Sequence, residues 1–100
     1  MPGPLTAADA LSWAADAMDA GRYWLLIHAE KRRAQRRVSP ADIRNVLCAA
    51  RRAEPYPDHA PRRGGTCWRI YGTDLDENES VVSVELYLDV FKRVLIVTVF

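Results

Sequence analysis

Cysteine is scarce in this sequence, and its scarcity argues against a disulfide-stabilised fold. Cys48 and Cys67 are the only two cysteines among 100 residues, which is too few for the disulfide framework of a small secreted protein. A zinc site would have to combine them with His28 and His59, and these four residues lack the short spacings of zinc ligands. We therefore predict no metal centre, and we expect a reduced, cytoplasmic protein.

Long apolar runs and the signatures of several enzyme classes are also missing. No apolar run approaches the roughly 18 residues of a membrane-spanning helix, and we expect no secretory leader. The sequence has no phosphate-binding P-loop, no dinucleotide-binding fingerprint and no serine nucleophile elbow. What remains is an ordinary globular composition, 49% hydrophobic and 27% charged, which at this length predicts one domain spanning residues 1–100.

The net charge of +1 conceals an uneven distribution of charge along the chain. Between Arg22 and Arg69 there are twelve lysines and arginines against four acids, so this stretch carries a charge of +8. The segment 74–89 has six acids and no base. Such separation is typical of proteins that bind a polyanion or an acidic protein, although a protein whose charged faces are only solvated can also show it.

The first helix is marked by a capping motif. Thr6 and Asp9 have the spacing of a capping box, and apolar residues recur at helical spacing until Gly21, a typical helix stop. We predict a helix of about fifteen residues here. The apolar run 22–28 that follows fits either a short strand or the start of the next helix.

Two more helical segments are predicted before the middle of the chain. Residues 29–37 are good helix formers with almost no apolar face. Ser39 followed by Pro40 is the signature of a new helix start, and the apolar stripe behind it predicts a helix that ends near Arg52.

The second half of the chain has the pattern of a loop followed by strands. Residues 53–66 contain three prolines and two glycines, so we predict a long loop there. Three strand-like runs follow, at 66–72, 80–88 and 93–100. The predicted fold is therefore α+β, with N-terminal helices packed on a three- to four-stranded antiparallel sheet whose other face is polar and free to bind a ligand.

The segment "KRRAQRR" (31–37) holds five cations in seven positions. On a helix, His28, Arg32 and Arg36 would line one face, with Arg33 and Arg37 beside them. Guanidinium groups suit bidentate contact with phosphate, so these five residues are candidates for RNA binding. The alternative is a solvated helix that binds nothing.

A second cationic motif lies in the predicted loop. Arg62 and Arg63 precede Gly64 and Gly65, where the small residues would let the backbone approach a phosphate closely. We predict that both arginines contact RNA, while a surface loop without a ligand remains the alternative.

Proton transfer has few candidate residues. His28 and His59 are the only side chains whose ordinary pKa lies near neutrality, and Tyr56, Tyr71 and Tyr87 can donate protons or stack on bases. Cleavage of RNA requires a base for the 2′-hydroxyl, an acid for the leaving oxygen and cations for the charge of the phosphorane. Histidine, tyrosine and arginine can supply all three.

Several segments together resemble a known family. "LSWAADAMDAG", "SPADIRNVL", "YPDH…CWRIY" and "RVLIVTVF" are similar to the RelE-like toxins of bacterial type II toxin–antitoxin modules, in particular the MqsR (motility quorum-sensing regulator) mRNA interferases. "HAEKRRAQRRVSPADIRNVL" also resembles an uncharacterised, toxin-like bacterial family. The resemblance implies a RelE-like fold, endonucleolytic cleavage of mRNA without a cofactor, and inhibition by a cognate antitoxin protein.

The catalytic set of the MqsR-type toxins is largely missing. Pro57 stands where that family has a lysine, Arg69 where it has a glutamine, and Glu85 where it has a mid-strand tyrosine. We therefore predict a different set, in which Arg69 stabilises the transition state and His59 or Tyr87 moves protons. The predicted catalytic residues are His59, Arg69, Tyr71 and Tyr87. The competing hypothesis is a binding module that docks nucleic acid or an acidic protein through its cations and does not cut.

Overall fold

The computed structural model describes residues 6–56, 65–87 and 94–99 of the chain. Within them lie three helices and five strands, which make the protein an α+β domain. The helices are α1 (Ala7–Asp19), α2 (Ile27–Gln35) and α3 (Pro40–Ala49), and the strands are β1 (Tyr23–Leu25), β2 (Arg52–Pro55), β3 (Thr66–Thr73), β4 (Glu79–Leu86) and β5 (Val94–Val99). No helix in these three ranges is long and apolar enough to cross a membrane.

All five strands form one sheet in the order β1-β5-β4-β3-β2. The pairs β2–β3, β3–β4 and β4–β5 are antiparallel, whereas β1 lies parallel to β5 at one edge. The predicted count of three to four strands was therefore too low. β1 lies in the run 22–28, for which a short strand was one of two alternatives, and β2 is the strand that was not predicted. β2 occupies part of the predicted loop, because a strand at the edge of a sheet tolerates a proline such as Pro55 that a central strand would not.

The predicted capping box of α1 and the predicted start of α3 at Ser39 and Pro40 are both confirmed. The Thr6 hydroxyl accepts a hydrogen bond from the backbone N–H of Asp9 at 3.1 Å, and the carboxylate of Asp9 accepts from the N–H of Thr6 at 3.0 Å. Ser39 and Asp42 make the same reciprocal pair at the start of α3. Gly21 follows α1 with a φ of 72°, the left-handed conformation that glycine adopts without strain.

The helices pack on one face of the sheet, which we call the near face. Side chains alternate between the two faces of a strand, and the near-face residues of the three long strands are apolar. They form one core with small and branched residues of α1 and α3. The core side chains from the sheet are Trp68, Ile70, Val82, Val84, Leu86, Val94 and Ile96.

The contact between α3 and β3 is unusually close. A Cβ at Gly72 would lie 2.4 Å from the carbonyl oxygen of Val46 in α3, so only glycine fits at this point of the strand. The Asn45 side-chain amide of α3 donates to the carbonyl oxygens of Thr73 and Asp74 at 2.8 and 3.1 Å. α3 thus fixes the end of β3 and the turn that follows it.

Candidate functional site

The face of the sheet opposite the helices, which we call the far face, brings two of the predicted catalytic residues together. Arg69 and Tyr71 alternate with the core residues of β3 and therefore project from the far face. In the register of the edge strand, Arg52 lies opposite Tyr71 and Glu54 lies opposite Arg69. The sequence analysis placed Arg52 at the end of a helix and Glu54 in a loop. In the structure both residues lie beside the predicted catalytic residues Arg69 and Tyr71.

Direct contacts connect these side chains. The Tyr71 hydroxyl donates to Glu54 Oε2 at 3.0 Å, and the Arg52 guanidinium forms an ion pair with the same carboxylate. The guanidinium carbon of Arg52 lies 4.4 Å from the centre of the Tyr71 ring, and that of Arg69 lies 4.1 Å from the centre of the Tyr56 ring. We call these five residues the arginine–tyrosine cluster.

The electrostatics of the cluster favour fully charged side chains. The hydrogen bond from Arg52, followed by that from Tyr71, lowers the pKa of the Glu54 carboxyl below its ordinary value of 4.5. Hydrogen bonding with Tyr56 and then Tyr71 raises the pKa of the Arg69 guanidinium. At neutral pH the cluster therefore presents one carboxylate, two guanidinium groups and the hydroxyl of Tyr71 as a proton donor.

This combination contains the groups that phosphodiester cleavage needs. A carboxylate can accept the proton of an attacking hydroxyl, a phenol can return one to a leaving oxygen, and guanidinium groups can stabilise the negative charge that develops on phosphorus. Arginine stacked on an aromatic ring is held in a defined orientation, which suits bidentate contact with a phosphate.

The far face is not open along its whole length, contrary to prediction. Ser83 and Glu85 project from it on β4, yet both are completely buried. The carboxylate of Glu85 accepts a hydrogen bond from the backbone N–H of Gly65 at 3.1 Å. The accessible part of the far face is therefore the edge formed by β2 and β3, together with the start of β4.

Tyr87 lies away from the cluster. Ser83 is the direct partner of Arg69 on β4. Tyr87 follows Ser83 by four residues on the same face. At ~3.3 Å per residue, Tyr87 therefore lies about 13 Å further along the strand direction. Tyr87 is also 9% exposed. The structure thus brings together Arg69 and Tyr71 but not Tyr87.

Three predicted residues lie outside the described part of the chain. His59, Arg62 and Arg63 fall between residues 56 and 65. His28 belongs to α2, although its side chain is not among those described. The roles predicted for these four residues remain predictions.

The cations of α2 are on the opposite side of the sheet from the cluster. α2 packs mainly on β5 and β1, at the edge furthest from β2. The side chains of Lys31, Arg36 and Arg37 are exposed and that of Arg32 is half-buried. We call these four residues the basic surface of α2.

Arg33 differs from the other cations of α2. It forms an ion pair with Glu30, and its Nη1 donates to the carbonyl oxygen of Val38 at 3.1 Å. These contacts connect the helix to the segment that follows it. Arg33 therefore has a structural role in addition to its predicted role in RNA binding.

Arg37 ends α2 in an unfavourable conformation. Its φ of 55° is in the left-handed region, and the N–H groups of Arg37 and Val38 bond back to the carbonyls of Ala34 and Arg33. This is a Schellman motif with arginine at the position where glycine is preferred. The fold does not require a cation there.

A groove adjoins the cluster at the start of β2. Its volume is about 810 Å³, within the usual range of small-ligand sites. Arg52 and Tyr71 belong to both the groove and the cluster. The remaining lining residues are Ala49, Arg51, Gly72, Thr73, Glu79, Ser80 and Val81.

Sequence reasoning missed Arg52, Glu54 and the groove. The signal was the alternation of polar residues in "RAEPY" (52–56), which places Arg52, Glu54 and Tyr56 on one face of a strand. Pro55 within this run, and Pro57 and Pro61 after it, concealed this signal by favouring the prediction of a loop. Among the described side chains, no group of three histidines, cysteines, aspartates or glutamates is arranged to hold a metal ion.

Comparison of the chain with protein-family models, with curated proteins and with solved structures finds no match.

Proposed function

We propose that this protein is a toxin-like endoribonuclease that cleaves mRNA at the arginine–tyrosine cluster. In this proposal it has a RelE-like fold related to that of the MqsR mRNA interferases and is inhibited by a cognate antitoxin protein. The arrangement of helices on one face of a largely antiparallel sheet supports it at the level of fold class.

One observation carries the proposal. Glu54 accepts a hydrogen bond from Tyr71 and an ion pair from Arg52, while Arg69 lies directly opposite Glu54 on the next strand. A proton acceptor, a proton donor and two cations therefore meet at one accessible edge of the sheet. Because the groups come from two paired strands, their spacing is held by backbone hydrogen bonds.

The chemistry follows from these positions. Glu54 takes the proton of the ribose 2′-hydroxyl as the 2′-oxygen attacks phosphorus. The bond from phosphorus to the 5′-oxygen breaks, and Tyr71 gives its proton to that oxygen, so the products are a 2′,3′-cyclic phosphate and a free 5′-hydroxyl. Protonated Glu54 then returns its proton to the Tyr71 phenolate through their hydrogen bond.

Arg69 and Arg52 provide the electrostatic contributions to this mechanism. Arg69 contacts the non-bridging oxygens of the phosphorane, where charge develops in the transition state. Its raised pKa keeps the Arg69 guanidinium protonated at neutral pH. Arg52 orients Glu54 through their ion pair and so acts as a positioning residue.

Incubation of purified protein with single-stranded RNA, with and without EDTA, tests the proposal. We expect cleavage in both conditions, products ending in cyclic phosphate, and a loss of rate of about 10²–10³-fold in Arg69→Ala. Arg69→Lys should also be slow, because lysine lacks the planar guanidinium fork. Arg44→Ala is the matched control, since Arg44 is an exposed arginine that pairs with Asp19 on the helical side.

Growth of bacteria that express the protein provides a second readout. We expect growth arrest with the parent chain and with Arg44→Ala, and normal growth with Arg69→Ala at equal protein level. An Arg69→Ala protein that is folded by circular dichroism and cleaves at the rate of the parent would refute the catalytic role of the cluster.

The competing function, a binding module, is favoured by the position of the basic surface of α2. This surface lies across the sheet from the cluster. A short RNA segment therefore cannot contact the basic surface of α2 and the arginine–tyrosine cluster at the same time. RNA binding that depends on Arg36 and Arg37, without any cleavage, would support the module and exclude the nuclease.

A further inference from the structure

We infer that the groove beside the cluster is a guanine-specific nucleotide site, in which Arg51 binds a phosphate and Glu79 reads the edge of the base. This inference rests on the proposed function, because it names the nucleotide that the substrate RNA presents next to the cleaved bond. It adds base selectivity, which the catalytic cluster by itself does not explain.

The groove lies next to the proposed cleavage site. Arg52 and Tyr71 line the groove and belong to the cluster. A nucleotide held in the groove is therefore adjacent to Glu54, the acceptor of the Tyr71 hydrogen bond. One RNA strand can thus place one nucleotide in the groove and the following phosphate at the cluster.

Two charged groups in the groove have no partner in the described part of the chain. Arg51 is exposed and makes no ion pair or hydrogen bond with any described residue, unlike Arg52 next to it. Glu79 is exposed and likewise has no such partner there. The ligand that satisfies both groups has an anionic part and a part rich in hydrogen-bond donors.

Among the bases of RNA, guanine fits Glu79 best. Its Watson–Crick edge has two adjacent donors, N1–H and the 2-amino group, which match the two oxygens of a carboxylate. Adenine, cytosine and uracil each present donors from only one nitrogen on that edge. A carboxylate therefore selects guanine by the number of charge-assisted hydrogen bonds that it can accept.

The register of the sheet places Glu79 where it can act in this way. Glu79 pairs with Thr73, and Tyr71 pairs with Val81, so Glu79 and Tyr71 lie on the same far face in adjacent rows. α3 holds this end of β3 through the Asn45 hydrogen bonds to Thr73 and Asp74. The carboxylate is thus carried on a rigid strand end, which favours selective binding.

Titration of the full chain with the four nucleoside monophosphates, followed by its tryptophan fluorescence or by calorimetry, tests the inference without requiring cleavage. We expect GMP to bind about tenfold or more tightly than AMP, CMP and UMP. IMP, which lacks the 2-amino group, should lose most of that advantage. Glu79→Gln should bind all four nucleotides with similar affinity, and Arg51→Ala should weaken all four alike.

Glu77→Gln is the matched control, because Glu77 is an exposed acid of the same hairpin that does not line the groove. Equal binding of all four nucleotides, or a GMP preference that survives Glu79→Gln, would overturn the inference. Selective GMP binding without RNA cleavage would instead support the nucleotide site and refute the nuclease. Cleavage of RNA with no preference for guanine would support the nuclease and refute the site.

Discussion

The basic surface of α2 and the arginine–tyrosine cluster are both rich in arginine, but their guanidinium groups have different surroundings. The cations of α2 lie within seven consecutive positions, 31–37, and are mostly exposed to solvent. Those of the cluster are separated by seventeen positions, Arg52 to Arg69, and each is stacked on a tyrosine ring. The dense run of cations in the sequence therefore gives a surface that attracts anions. The oriented arginines of the cluster, in contrast, are brought together by the pairing of β2 with β3.

The difference predicts different kinetic roles for the two regions. Long-range attraction by exposed cations increases RNA affinity uniformly and depends on salt. Oriented groups at the reacting phosphate act on the rate of the chemical step. Variants of each region should therefore change different parameters.

The largest effect is expected for Glu54→Gln. The amide keeps the shape of the side chain and its hydrogen bond with Tyr71, but it cannot accept a proton. We expect kcat for RNA cleavage to fall by about 10²–10⁴-fold with KM nearly unchanged. A variant with the kcat of the parent would mean that the base lies elsewhere.

The pH dependence of cleavage identifies the base. The pKa of Glu54 is lowered by Arg52 and Tyr71, so its active, deprotonated form persists below pH 4.5, the ordinary value for this side chain. We expect kcat/KM to be flat from about pH 5 to about pH 8 and to fall on the acidic side as Glu54 becomes protonated. An acidic limb near pH 6.5, the ordinary pKa of histidine, would instead assign the role to His59.

A smaller effect is expected for Arg36→Ala combined with Arg37→Ala. The loss of two phosphate contacts should weaken RNA binding several-fold at 0.1 M salt and reduce the slope of log K against log salt by about 1.4, the single-strand value for two contacts. kcat should not change. A variant that lowers kcat while its affinity and salt slope match those of the parent would contradict the division of roles.

The smallest effect is expected for Arg37→Gly, and it separates folding from binding. Glycine relieves the left-handed strain at the end of α2, which should stabilise the protein by about 1 kcal/mol. The same change removes one cation, so RNA affinity should fall slightly. Urea denaturation measures the stability and a filter-binding titration measures the affinity. Decreased stability would show that the arginine side chain makes a contact that the helix needs.

The elements predicted from sequence are those with local signals. α1 and α3 were recognised because Thr6 and Ser39 are caps whose partners lie three residues away. The three long strands were predicted from short strand-like runs, and apolar residues alternate with polar ones in the run 80–88. These signals are complete within each segment, so no knowledge of the rest of the fold is needed.

β1 was only one of two alternatives for the run 22–28, and β2 and half of the cluster were missed, because the determinants of these features are non-local. β1 is three residues long and depends on a parallel partner distant in sequence. β2 contains Pro55 and is defined by its pairing with β3. Glu54 acquires its role only when that pairing brings it opposite Arg69, and no pattern within residues 52–56 shows which residue will lie across from it.

The parallel pairing of β1 with β5 sets an order for folding during synthesis. Tyr23 lies next to Val94, 71 positions later, so at about 5–20 residues per second the ribosome needs several seconds to produce this partner. α2 packs mainly on these two strands, and a nine-residue helix is marginal alone. The support for the basic surface of α2 is therefore complete only after β5 has been synthesised.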